Sequence, residues 1–248
     1  MNAMTLILAT ALCMAQPADT SAEPAVRVLL VTGVDYAGHR WRETTPALRG
    51  VLEQDDRLTV RVIEDHEFLA SDAVFDYDVI LLHLKNYEPT ARAAQVYENL
   101  TRFVHEGGGL VLYHFALGAF EEWDEFQQLA GRIWDKTKRA HDPHGPFTVN
   151  IIDSDHPVTR GMSDFETIDE LYTCFGGDTP IHLLATARSK VDGEDYPMAF
   201  VLHVGQGRVF HTPLGHDVRA ITMPGPAELI RRGCLWAGGR LDGTNRRR

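Results

Sequence analysis

Four short apolar runs rich in β-branched residues constrain this chain more than any other feature. They are VRVLLVT (Val26–Thr32), LTVRVIE (Leu58–Glu64), YDVILLHL (Tyr77–Leu84) and LVLYH (Leu110–His114). Runs this continuous suit strands covered on both faces rather than strands with one face in water. Between them, Glu43–Gln54 carries helical spacing. Thr90–His105 sets Ala94, Val96, Tyr97, Leu100, Phe103 and Val104 along one side before Gly107-Gly108-Gly109 stops the helix. Strands alternating with helices imply βαβ units, with parallel strands joined by right-handed crossovers. The second half changes character. Phe147–Asp153, Leu171–Phe175, His182–Ala187, Met198–Val204 and Arg208–Thr212 read as short strands parted by turns such as Val191–Glu194, and only Pro226–Ala237 reads as a closing helix. The expected fold class is α/β: a mostly parallel sheet with helices on both faces and an added antiparallel strand group, in a single domain over residues 26–240.

The chain has 248 residues, 44% hydrophobic and 24% charged. A domain of that size buries roughly 70–75% of its unfolded surface, so it needs no disulfide or metal staple. With 24 basic against 35 acidic side chains the net charge is −11, and the only basic run is Arg246-Arg247-Arg248. No nucleic acid is expected as a partner, because a basic footprint is missing. Thr5–Ala15 (TLILATALCMA) has the length of a signal-peptide apolar core and is too short to span a bilayer. Cys13-Met14-Ala15 fits a small-x-small cleavage site, although no Lys or Arg precedes the run. Residues 1–15 are therefore expected to be a leader and 16–25 a linker. The protein is then periplasmic or secreted, with no stable membrane insertion. A mis-assigned start or a buried N-terminal strand is the alternative, and the residues before Cys13 make a poor lipobox. Without the leader only Cys174 and Cys234 remain, expected as buried apolar fillers rather than a bridge. Residues 241–248 read as a frayed tail.

In an open parallel sheet ligands bind outside the carboxyl ends of the strands. Those ends here are Gly33–Trp41, with Asp35, His39 and Trp41; His83–Asn86, with Asn86; and His114–Ala116. His39 lies in a loop with two glycines, as a ligand-facing group or as a cap for the following helix. A histidine ending a buried strand is costly unless it meets a cavity or a partner, which marks His114. His83, inside its strand, reads as a satisfied core histidine. Phe120–Gly145 reads as a helix followed by a long capping loop; Trp123 there suits ring stacking or core packing, and His141 and His144 suit one centre. His211 lies on a strand, whereas His216 is carried by a loop and is better placed to act. Glu170, beside Tyr172, suits an acid or base, or a solvated acidic turn. The expected catalytic set is His39, His114, Glu170 and His216, and the expected substrate-binding set is Asp35, Trp41, Asn86, Trp123, His141, His144 and Tyr172. A divalent metal such as zinc would fall to His39, His114, His141 and His216, although no H-E-x-x-H pattern supports it.

Five segments, in order, resemble the ThuA-like (trehalose utilisation) family, a branch of the class I glutamine-amidotransferase-like, flavodoxin-type fold. They are GHRW (Gly38–Trp41), GGGLVLYH (Gly107–His114), HGPFTVNIIDSDHPVTRGM (His144–Met162), DELY (Asp169–Tyr172) and GQGRVFHTPLGH (Gly205–His216). Each motif alone is weak; five in order are strong, and the similarity covers about residues 26–239. One departure is chemical. In the amidotransferase relatives a nucleophilic cysteine sits on the sharp turn after the strand that follows a glycine run, and His114-Phe115 stands there in this chain. A Cys-His-Glu glutaminase is not expected, and a shared fold does not carry a shared reaction. The resemblance implies carbohydrate catabolism on a disaccharide or its oxidised (3-keto) derivative, with a small-molecule carbohydrate as partner and homodimerisation left open. His39 and His114, with Glu170 or His216, would move a proton beside a sugar carbonyl. A non-catalytic carbohydrate-binding protein and a zinc-dependent hydrolase remain as alternatives.

Overall fold

The structure is a computed structural model and describes residues 23–86 and 88–241. The leader expected at residues 1–15, most of the linker and nearly all of the expected tail lie outside the described residues. No helix among the described residues is long and apolar enough to cross a membrane.

The apolar runs form the centre of the sheet. In β1 (Val26–Val31), Val28 and Leu30 turn to one side and Leu29 and Val31 to the other, and all four are fully buried. The same alternation holds in β3 (Val79–Leu82) and β4 (Gly109–Tyr113). Each fully buried Leu or Val is worth about 1.5–3 kcal/mol, so two-sided burial fixes which segments lie inside. One face is covered by α1 (Trp41–Leu52), α4 (Val218–Thr222) and α5 (Pro224–Ala237), the other by α2 (Ala93–His105) and the short α3 (Phe126–Ala130).

The remaining strands are β2 (Leu58–Ile63), the short pair β5 (Ile133–Trp134) and β8 (Phe175–Gly176), then β6 (Gly145–Ile151), β7 (Phe165–Asp169), β9 (His182–Arg188), β10 (Asp195–Val204) and β11 (Gly207–Thr212). The main sheet runs β2-β1-β3-β4-β11-β10-β9-β6-β7. Its first five strands are parallel and the last four continue it antiparallel, as the α/β expectation requires. Strand order reverses between β1 and β3, and a crevice opens at the carboxyl ends of such a pair.

Two expected elements differ. Leu171–Phe175 is not a continuous strand; Tyr172 makes a single bridge to His141, and Phe175-Gly176 pairs with β5. The strand lies just upstream as β7, whose fully buried inward positions are Thr167 and Asp169, so an apolar alternation is missing from its sequence. Leu171, Tyr172 and Cys174 are apolar because this loop is itself buried. In the aromatic segment the helix shrinks to five residues, closed by Gly131 at φ +76°. Cys174 and Cys234 are both free and buried.

Candidate functional site

Strand ends supply the site. The chain leaves β1 through Gly33, at φ +107°, where a Cβ would fall 2.1 Å from the Glu64 carbonyl oxygen, so only glycine lets the loop pass the end of β2. The loop folds back through a Tyr36–His39 bridge and lays the His39 ring on Phe115, with centroids 4.4 Å apart and planes 15° from parallel. His114, directly after β4, has φ +50°, the one positive value outside glycine among the described residues. That conformation costs a residue with a side chain about 1–2 kcal/mol. The buried ring is anchored as well, since its Nδ1–H donates to the Pro213 carbonyl oxygen at 2.6 Å. A carbonyl only accepts, so Nδ1 carries the proton and Nε2 keeps its lone pair. Beyond β11 the chain turns at Gly215, φ +117°, and presents His216. Fully buried Asp169, the last residue of β7, accepts the backbone N–H groups of Gly215 at 2.6 Å, His216 at 3.1 Å and Glu170 at 2.8 Å. This carboxylate ties the far strand of the sheet to the β11 loop and brings Glu170 to the histidines.

The side chains then converge. One donor atom from each of His39, His114, Glu170 and His216 lies within 4.8 Å of the other three. The His39 ring centroid is 4.6 Å from that of His114 and 5.0 Å from that of His216. Glu170 Oε2 lies 3.1 Å from His216 Nδ1 and 3.8 Å from His114 Nε2, while its Oε1 lies 3.5 Å from His141 Nε2. The buried Tyr172 hydroxyl sits 3.2 Å from His114 Nε2 and 3.4 Å from His39 Nε2. A cavity of about 420 Å³ opens beside His39 and Tyr36.

Burial sets the charge pattern. Burial first, then the neighbouring His216, holds His39 down at about 4. Burial and His39 push His114 well below the imidazole range, so both rings are neutral at pH 7. Burial pushes Glu170 up, but His216 and His141 more than offset it and its carboxyl ends below the usual value. The Glu170 carboxylate, with an oxygen 3.1 Å from Nδ1, raises His216 against burial. Burial raises Asp169 to about 7 against its three backbone donors, and keeps the Tyr172 hydroxyl protonated as a donor. The site thus combines two neutral imidazoles with a carboxylate–imidazole pair in one partly sealed crevice.

The expected catalytic residues come together, whereas the expected substrate-binding residues divide. His141 and Tyr172 adjoin the cluster, bridged to each other through their backbones. His144 stands one rank out, its ring 5.3 Å from His216 and its Nε2 3.6 Å from Asp217. Asn86 is buried, and its Nδ2 has no hydrogen-bond partner among the described residues. Asp35 accepts the Trp41 indole N–H at 2.7 Å and pairs with Arg42, whose guanidinium covers one face of the Trp41 ring at 4.2 Å, and Asp35 and Trp41 both line the cavity beside His39. Trp123 stacks on Tyr97 at 4.3 Å and Phe126 at 5.5 Å and lines a separate cavity of about 960 Å³ that none of the four cluster residues reaches. Sequence reasoning missed Asp169, Phe115 and Lys85. Lys85 is buried, its Nζ 3.1 Å from Glu121 and 3.9 Å above the Trp134 ring; its place in the segment that leaves the end of β3 was the available signal. The bland reading of His83 holds: it is fully buried, with Nδ1 3.0 Å from the Thr45 hydroxyl.

A family model for trehalose utilisation, ThuA, matches residues 27–237. A protein of Parabacteroides merdae described as ThuA-like has a solved structure 25% identical, with TM-score 0.75 over 89% of this chain and 92% of that one. A second ThuA-like protein, from Bacteroides uniformis, is 18% identical, with TM-score 0.69 over 90% and 95%. A Thermoplasma acidophilum protein described as part of a GMP synthase shares the fold at 13% identity, with TM-score 0.52 over 88% and 96%. No curated protein matches the sequence.

Proposed function

Because the chain belongs to the ThuA, or trehalose utilisation, family, we propose that it is an enzyme acting on a small carbohydrate, a disaccharide or its oxidised 3-keto form, at the His39–His114–Glu170–His216 centre. The observation that carries this reading is the convergence of those four donor atoms within 4.8 Å, contributed by segments far apart in the chain. Cysteine chemistry has no support in the geometry. His114 occupies the turn after β4, and burial raises the Cys174 thiol to about 12 and Cys234 higher still, so neither is a thiolate near neutral pH.

The chemistry follows from the substrate class. A carbonyl at C3 of a sugar makes the C2–H bond acidic. When a base takes that proton, the electron pair forms the C1=C2 bond, the C1–O bond breaks, and the departing oxygen is protonated. Addition of water to the product completes a net hydrolysis. The lone pair of His114 accepts a hydrogen bond from a sugar hydroxyl, and the protonated Tyr172 hydroxyl between His114 and His39 donates to the C3 oxygen as charge develops there. His141 carries the proton: its Nδ1–H donates to the Asp142 carbonyl oxygen at 2.8 Å, and its Nε2 faces Glu170 at the edge of the crevice.

Native and 3-keto disaccharides, followed by mass, test the reading. His114→Ala, with circular dichroism unchanged, is expected to lose turnover by about 100-fold or more. Full activity in that variant discards the reading, and sugar binding by calorimetry without any turnover replaces the enzyme with a binding protein.

A further inference from the structure

We propose that His39, His114, Glu170 and His216 together hold one divalent transition-metal ion of the zinc class. The proposal rests on the reading of this crevice as the reacting centre and names what the centre contains. In a tetrahedral zinc site with Zn–N and Zn–O of about 2.1 Å, neighbouring donor atoms stand about 3.4 Å apart. The two measured spacings on Glu170 Oε2, 3.1 Å to His216 Nδ1 and 3.8 Å to His114 Nε2, bracket that value, and all four donors lie within 4.8 Å of one another.

The surroundings carry the second argument. A metal-bound histidine usually donates its other ring N–H to a backbone carbonyl or a carboxylate, which fixes the ring and its tautomer. His114 does so toward the Pro213 carbonyl oxygen. His39 is 7% exposed, and its Nδ1 is buried without a hydrogen-bond partner among the described residues. A sealed imidazole with an orphan nitrogen is costly unless something outside the protein completes it. Asp169 holds the backbone of Glu170 and of His216 at once, so those two donors are set by a single group. The donor set itself selects the ion, since three imidazoles and one carboxylate suit zinc, iron, nickel or cobalt, whereas calcium and magnesium take oxygen ligands.

The ligand set differs from the four histidines expected from sequence. Glu170 takes the place of His141, which faces the outer oxygen of Glu170 and stays free to carry a proton. With the four donors turned to the ion, a sugar oxygen would reach it only as an added fifth ligand, where the dication would polarise it.

The test is calorimetric titration of chelator-treated, dialysed protein with Zn²⁺. One ion per chain is expected, with affinity lowered at least 100-fold in His114→Ala and in Glu170→Gln, both folded by circular dichroism. His141→Ala is expected to keep one ion per chain, with affinity changed less than 10-fold. No saturable binding, or binding unchanged in His114→Ala and Glu170→Gln, overturns the proposal. A loss in His141→Ala equal to that in His114→Ala overturns the ligand set. The two readings fail separately. Sugar turnover that persists after chelation but vanishes in His114→Ala removes the metal and keeps the enzyme. Zinc binding by a chain that turns over no carbohydrate keeps the metal site and removes the substrate class.

Discussion

His211 and His114 lie on or just beyond neighbouring strands, both with no exposure to water, yet their imidazoles serve different ends. His114 is anchored so that one nitrogen faces the crevice. His211 packs 4.6 Å from Phe200 and lies 3.4 Å from the Ala130 carbonyl oxygen, filling the interior as a neutral ring. Burial pushes His211 down to about 3, whereas an imidazole in the unfolded chain takes a proton near 6.5. Stability contributed by the neutral ring is therefore present above about pH 6.5 and is lost as pH falls toward 3, because the unfolded state binds the extra proton. Between pH 7 and pH 5 this one site removes about 2 kcal/mol. His211→Gln should lose that much less over the same interval in denaturant titrations; equal losses in both proteins contradict the assignment. The same contrast shows what single residues reveal. His39, His114 and His216 were legible because polar side chains beyond the carboxyl end of an apolar run need a reason to be there, and Glu170 because it stands beside Tyr172. Asp169 was not, since it acts through backbone N–H groups that leave no pattern. Trp123 stands apart from the cluster, stacked on Tyr97 and Phe126, a placement that spacing alone does not show.

Loops at the strand ends place the site, and two glycines bracket how tightly. A Cβ on Gly215 would meet the Tyr113 hydroxyl at 2.3 Å, at a φ of +117° that side chains avoid. Gly215→Ala is thus expected to shift the loop that carries His216 and to lower stability by about 1 kcal/mol or more, with turnover lost. Gly50, exposed within α1 and with nothing within 4 Å of its Cβ position, is the counterpart. Gly50→Ala should raise stability by about 0.5–1 kcal/mol and leave activity intact. Urea midpoints and turnover for both variants decide the point; a Gly215→Ala protein with parental activity would show that the loop does not set His216. The elements themselves were readable where burial is two-sided, as in β1, β3 and β4. β7 was hidden because its buried positions are Thr167 and Asp169, and the Leu171–Phe175 loop looked like a strand because it is as apolar as one.

At the scale of the whole molecule, the sheet explains why distant residues meet. Its parallel half, β2-β1-β3-β4-β11, lines up the ends that carry His39, His114 and His216. The antiparallel half continues the sheet to β7, and the Asp169 carboxylate returns Glu170 to the same crevice. Alternation of strands and helices made the first half foreseeable. The antiparallel group of the second half was foreseeable too, but its strand order was not, because that depends on long-range pairings such as Asn150 with Thr186 that no local spacing encodes. The fold is shared with proteins of differing description, such as the Thermoplasma acidophilum protein, so the role of the His114 crevice must be located by its own ligand. A crystal structure with a 3-keto or native disaccharide does so directly. The expected result is a sugar with an oxygen within about 3 Å of the His39, His114, Glu170 and His216 donors. A sugar seated instead beside Tyr97 and Trp123 in the other cavity, with the histidine crevice empty of it at saturating concentration, would contradict the account.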